Sequence, residues 1–115
     1  MTFDKFTIKA QEALQSAVNI ARQHQQQSIE PTHLLFGVTD KGKDICSFVF
    51  QKLGINAQQI DTFIENELQH LPKVSGGEPF LANDTQKVLQ QAIDILHAAN
   101  PDMRIVLTVS PIRYR

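Results

Sequence analysis

Displaced by 75 positions, the first amphipathic segment of this 115-residue chain falls on its last. Gln11, Leu14, Gln15, Ala17 and Ile20 meet Gln86, Leu89, Gln90, Ala92 and Ile95, while Val18 meets Ile93 and Phe6 meets Leu81. An internal repeat constrains a fold more than composition does, because each copy must bury its apolar face against another. Two origins account for the match: a duplicated unit, or two separate helices that both need apolar residues at helical spacing. Both require helix at each end of the match. A duplication would also place a copy of the intervening elements after the second helix, and the sequence does not continue that way.

The elements between follow from local pattern. Residues 7–24 read as a helix, with Ala10, Ala13, Leu14, Ala17, Val18 and Ala21 on one face and Lys9, Glu12, Gln15 and Arg22 opposite. Thr7 is its expected N-cap. A second helix begins at Pro31, carries Leu34, Leu35 and Val38, and ends in the polar turn 40–43. A third spans about 44–53 with Ile45, Phe48, Val49 and Leu53 directed inward, and Gly54 stops it. Asn56 and Gln59, spaced as in a capping box, open a fourth with Ile60, Phe63, Ile64 and Leu68 on one face, closed by Pro72. Residues 73–79 are a linker by composition, and a fifth helix starts near Asn83 with Val88, Leu89, Ala92, Ile93, Leu96 and Ala99 as its apolar set. Every apolar pattern in 7–99 has helical period, so the fold class is all-α, with no regular sheet in that stretch. After the turn signal Asn100-Pro101-Asp102, residues 103–109 are short, continuous and β-branched, and read as a strand.

Composition excludes several functions. A net charge of -1 without any Lys/Arg cluster gives no broad surface for nucleic acid or an anionic membrane. Cys46 is the single cysteine, so no intramolecular disulfide is open to the chain. The start MTFDKFTIKA lacks the apolar region of a signal peptide, and no apolar run is long enough to cross a bilayer. A cytoplasmic location is expected. His24, His33, His70, His97 and Cys46 match no zinc spacing, so no metal or cofactor is expected, and His33 reads as a hydrogen-bonded packing histidine. Neither a P-loop nor a GxSxG elbow occurs, so no catalytic residue is assigned to Cys46 or Ser110.

Particular residues carry a resemblance. Phe3, Phe6 and Thr7 with Gln11-Glu12-Ala13-Leu14, then Ile29-Glu30-Pro31-Thr32-His33-Leu34-Leu35, Leu53-Gly54-Ile55, and Ser75-Gly76-Gly77-Glu78-Pro79-Phe80-Leu81 resemble the N-terminal domain of the Clp family of ATP-driven unfoldases, its disaggregase branch above all. The resemblance covers about 1–99: a first four-helix repeat (1–72), the linker (73–79) and a partial second repeat (80–99), with 100–115 a tail that does not match. It implies a non-catalytic protein-binding module that engages unfolded or aggregated polypeptide, or adaptor proteins, for a hexameric ATPase. Phe3, Thr7, Phe80 and Leu81 are the expected protein-binding residues. Phe3 and Phe80 flank a hydrophobic groove on this reading, or staple their own helices on the local one. The tail, notably Thr108-Val109-Ser110-Pro111-Ile112-Arg113, is similar to a strand-and-loop segment of the GSCFA family of bacterial hydrolase-like proteins. That family's Gly-Ser-Cys-Phe-Ala nucleophile motif is missing, so the likeness implies no activity. The alternatives are therefore a fragment fused to a GSCFA-type segment, or an inert product of a truncated gene. With only a partial second repeat to pack it, the fifth helix is expected to leave Val88, Leu89, Ile93 and Leu96 uncovered and to self-associate, as a twofold homodimer through them or by a swap of the fifth helix and tail between copies.

Overall fold

The computed structural model describes residues 7–74 and 76–99. They form five helices: α1 (Ile8–Gln23), α2 (Pro31–Lys41), α3 (Lys43–Leu53), α4 (Ala57–His70) and α5 (Asn83–Ala99). The all-α class is thus observed. Phe3 and the residues 100–115, which carry the expected strand, lie outside the described residues.

Helix ends follow the local chemistry. The Thr7 hydroxyl accepts from the Ala10 N–H at 3.2 Å and so opens α1. Past α1 the chain turns at Gln25, a non-glycine at φ 57. Gly54 sits at φ 71 after α3, the left-handed cap that glycine adopts without strain. At α4 the Asn56 carboxamide accepts from the Gln58 N–H at 2.9 Å, a single-sided cap in place of the expected reciprocal pair with Gln59.

The core lies where α1 crosses α2. Leu14 and Leu34 form one buried cluster, with Ala10 and Leu89 packed on it; Ala17, Ala21 and Ile29 form the next, with Val18 and Leu81. The small residues of α1 let α2 approach so closely that Gly37 rests on its backbone: a Cβ there would collide with the Ala13 carbonyl oxygen and lie 3.1 Å from the Ala17 nitrogen. The Ser16 hydroxyl, donating to Asp40 Oδ2 at 2.9 Å, ties the same pair of helices. From α4, Ile64 and Leu68 are buried.

Three expectations need correction. The inward face given to α3 is outward: it buries no residue, and Ile45, Phe48, Val49 and Leu53 are all exposed. The turn at Gly42 sets α3 beside α2, and its apolar period is left uncovered there. Phe63 of α4 is exposed for the same reason of position. Second, the helical stretch contains a small sheet: β1 (Ser28–Ile29) pairs in parallel with β2 (Phe80–Leu81), Ser28 opposite Phe80 and Ile29 opposite Leu81. Two residues per strand are too few for an alternating pattern to show in sequence. Third, α5 is better covered than expected. Thr85, Leu89 and Ile93, four residues apart, face the first repeat; Thr85 and Ile93 are buried and Leu89 packs on Leu14 and Leu34. Ile93, at 1 % exposure, is not available to a dimer contact.

Candidate functional site

The segment that enters α5 is fastened to the one that leaves α1. The Phe80 and Ala82 N–H groups donate to the carbonyls of Gln27 and Ile29, both at 3.1 Å, and the Val74 N–H donates to Gln25 at 2.9 Å. The Gln27 carboxamide donates to the Glu78 carbonyl at 3.0 Å, and the buried Thr85 hydroxyl donates to the Ile29 carbonyl at 2.6 Å. This ladder fixes where Phe80 and Leu81 point. Successive strand residues face opposite ways. Leu81 packs on the Ala17–Ala21–Ile29 cluster, and Phe80 is left 54 % exposed. An exposed aromatic on a hydrogen-bonded strand is a rigid apolar anchor.

Thr7 does not lie beside it. Leu81 packs on the cluster of Ala17, Ala21 and Ile29, in the second half of α1, whereas Thr7 opens that helix. At 1.5 Å per residue, Thr7 is about 15 Å from the Ala17 level. The Thr7 hydroxyl is occupied as the α1 cap. Of the four expected binding residues, the structure exposes Phe80, exposes Thr7 at the far end of α1 and turns Leu81 inward; Phe3 is outside the described residues.

His33 has the packing role its position suggested. Its side chain is fully buried, and Nδ1 accepts from the Glu30 N–H at 2.8 Å. Since that N–H can only donate, the ring proton sits on Nε2 and is donated to Gln26 Oε1 at 2.7 Å. Gln26 Nε2 then donates to the Leu68 carbonyl at 2.6 Å, which links the start of α2 to the end of α4. Burial holds the imidazole below its usual 6.5, the Glu30 carboxylate opposes this, and His24 adds to it. His24 and His70 bond back to carbonyls of their own helices, and among the described residues no three His, Cys, Asp or Glu side chains are placed to hold a metal.

Pattern reading missed a groove of about 600 Å³ between α1, α2 and α4. Ile20, Phe36, Ile64 and Leu68 supply its apolar lining, and Asp61 and Glu65 of α4 line the same groove. Ile20 and Phe36 lie off the main apolar stripes of their helices. Such off-stripe apolar residues were the available signal.

The fold and the repeat spacing agree with the comparison to known proteins. Residues 5–102 match the model of the Clp repeat (R) N-terminal domain. The chain belongs to that family. It is 50 % identical over 92 residues to the chaperone protein ClpB of Bacteroides thetaiotaomicron, covering 80 % of this chain and 11 % of that protein. The ClpB of Porphyromonas gingivalis is 48 % identical over 97 residues, covering 84 % and 11 %. The chaperone protein ClpB 2 of Nostoc sp. is 38 % identical over 93 residues, covering 81 % and 10 %. The chain thus spans about a tenth of the length of the curated relatives it matches. No helix among the described residues of this Clp domain is long and apolar enough to cross a membrane. The residues 103–115 fall beyond the family match.

Proposed function

We propose that this Clp N-terminal domain is a non-catalytic capture module: it binds unfolded or aggregated polypeptide, or an adaptor protein, for an ATP-driven chaperone. The observation that carries the reading is the exposed Phe80, held outward by the β1–β2 ladder while Leu81 anchors the strand inward. The resemblance adds Phe3 and Thr7 to this reading, and Leu81 supports the strand from within. Capture of an unfolded segment gains about 25 cal/mol for each Å² of apolar surface removed from water. Ordering the segment offsets much of that gain, so binding is weak and suits handover.

The test is fluorescence anisotropy with fluorescein-labelled casein, an unfolded probe, against the Phe3→Ser/Phe80→Ser double variant. Affinity is expected to fall about tenfold, the equivalent of about 1.4 kcal/mol. The melting temperature is expected to move by less than about 3 °C, because an exposed side chain contributes little to folding. Unchanged affinity, or a large loss of stability that marks the phenylalanines as helix staples, would remove the assignment. Leu81→Ser serves as the contrast and is expected to destabilise.

Self-association belongs to the same reading in a reduced form. Val88, Ile95 and Leu96 remain exposed on α5 although Leu89 and Ile93 are covered. A twofold contact through these three residues predicts a mass in light scattering that rises with concentration and reverts in Val88→Lys/Leu96→Lys. A constant monomer mass over the series refutes it.

A further inference from the structure

The groove between α1, α2 and α4 has neither Phe80 nor Leu81 in its lining. From α1 its lining takes Ile20 and His24. It is therefore a surface separate from the one around Phe80, and the capture reading above does not depend on it.

Its chemistry selects an occupant. The lining from Ile20, Phe36, Ile64 and Leu68 accepts apolar side chains, and a volume of about 600 Å³ accommodates a few of them. Asp61 and Glu65 stand four residues apart on α4, so their carboxylates share one face and repel each other. Both are exposed, and among the described residues neither lies in an ion pair. Asp40 differs: its carboxylate is already engaged by the Ser16 hydroxyl at 2.9 Å and by Lys41 at 3.9 Å. Lys43 also lines the groove, and among the described residues it forms no ion pair with Asp61 or Glu65. A guanidinium between Asp61 and Glu65 relieves their repulsion and presents donors to both carboxylates.

We propose that this groove is a second docking site, for a short apolar polypeptide segment carrying an arginine, whose guanidinium bridges Asp61 and Glu65. Its neighbouring side chains cover Ile20 and Phe36. The carboxylates confer charge selection.

The test uses the full chain and two blocked, fluorescein-labelled nonapeptides of Leu, Val and Phe, one with a central Arg and the other with Glu in its place. The Arg peptide is expected to bind about tenfold more tightly, with the preference shrinking as salt rises. Asp61→Lys/Glu65→Lys changes only exposed positions, so its helical circular dichroism should match the parent while its preference inverts to the Glu peptide. Phe80→Ser is expected to leave the Arg preference intact. Equal binding of the two peptides, or an unchanged preference in the Lys variant, overturns the proposal. Loss of the preference in Phe80→Ser also overturns it, and leaves the capture reading standing. If neither peptide binds at about 1 mM and the Lys variant instead changes the mass in light scattering, the groove seats a second copy and the proposal falls.

Discussion

Replacing Gly37 with alanine is expected to lower stability by about 3 kcal/mol, near the upper end for overpacking in a well-packed core. Helix propensity points the other way. Alanine in place of glycine inside a helix gains about 1 kcal/mol. Packing decides the sign, because the added methyl meets the Ala13 carbonyl oxygen in the middle of α1, with the Ala17 nitrogen 3.1 Å away. These are backbone atoms and no side-chain rotation relieves the collision. Relief requires α1 and α2 to move apart, which opens the Leu14–Leu34 contact and strains the Ser16–Asp40 hydrogen bond. For a domain of about 100 residues the melting temperature should drop by about 15 °C. A drop below about 3 °C would mean that the two helices separate without loss, contrary to the packing described.

A second large effect is expected on acidification, through His33. Burial depresses its folded pKa below 6.5, so the unfolded chain takes up a proton before the folded one does. The contribution is complete above pH 6.5 and declines as pH falls through 6.5 towards the lower folded value. Its slope cannot exceed about 1.4 kcal/mol per pH unit for one proton. Protonation also puts a hydrogen on Nδ1, so the bond accepted there from the Glu30 N–H is lost while Nε2 goes on donating to Gln26 Oε1. Urea midpoints from pH 7.5 to 5 measure this decline. His33→Leu is expected to cost about 2–3 kcal/mol at pH 7.5, since the Glu30 N–H and Gln26 Oε1 lose their partner in a buried site. The difference between parent and variant should shrink as pH falls. Parallel pH profiles for the two proteins would show that His33 does not supply the proton.

The helices, their order and most of their ends are legible in local sequence. Thr7, Pro31 and Gly54 act on the chain within a turn of themselves, through one hydrogen bond, one ring or one positive φ, so their effects are readable from neighbours alone. The family is legible there as well, because the motifs around Glu30-Pro31-Thr32-His33 and Gly76-Gly77-Glu78-Pro79 stand at the right separation. Helical period shows that a face is apolar and leaves open what covers it. The apolar faces of α3 and α5 are equally legible, yet α3 stays exposed while Leu89 and Ile93 of α5 pack on the first repeat. Tertiary structure alone decided that outcome. It also decided that Phe80 faces out and Leu81 in, through a ladder of two residues per strand that joins positions about 50 apart in the chain. The groove of Ile20 and Phe36 exists only because three helices meet there, with Gly37 holding α1 and α2 close enough to form one of its walls. Contacts between distant segments set each of these features, and a local pattern carries no record of distant contacts.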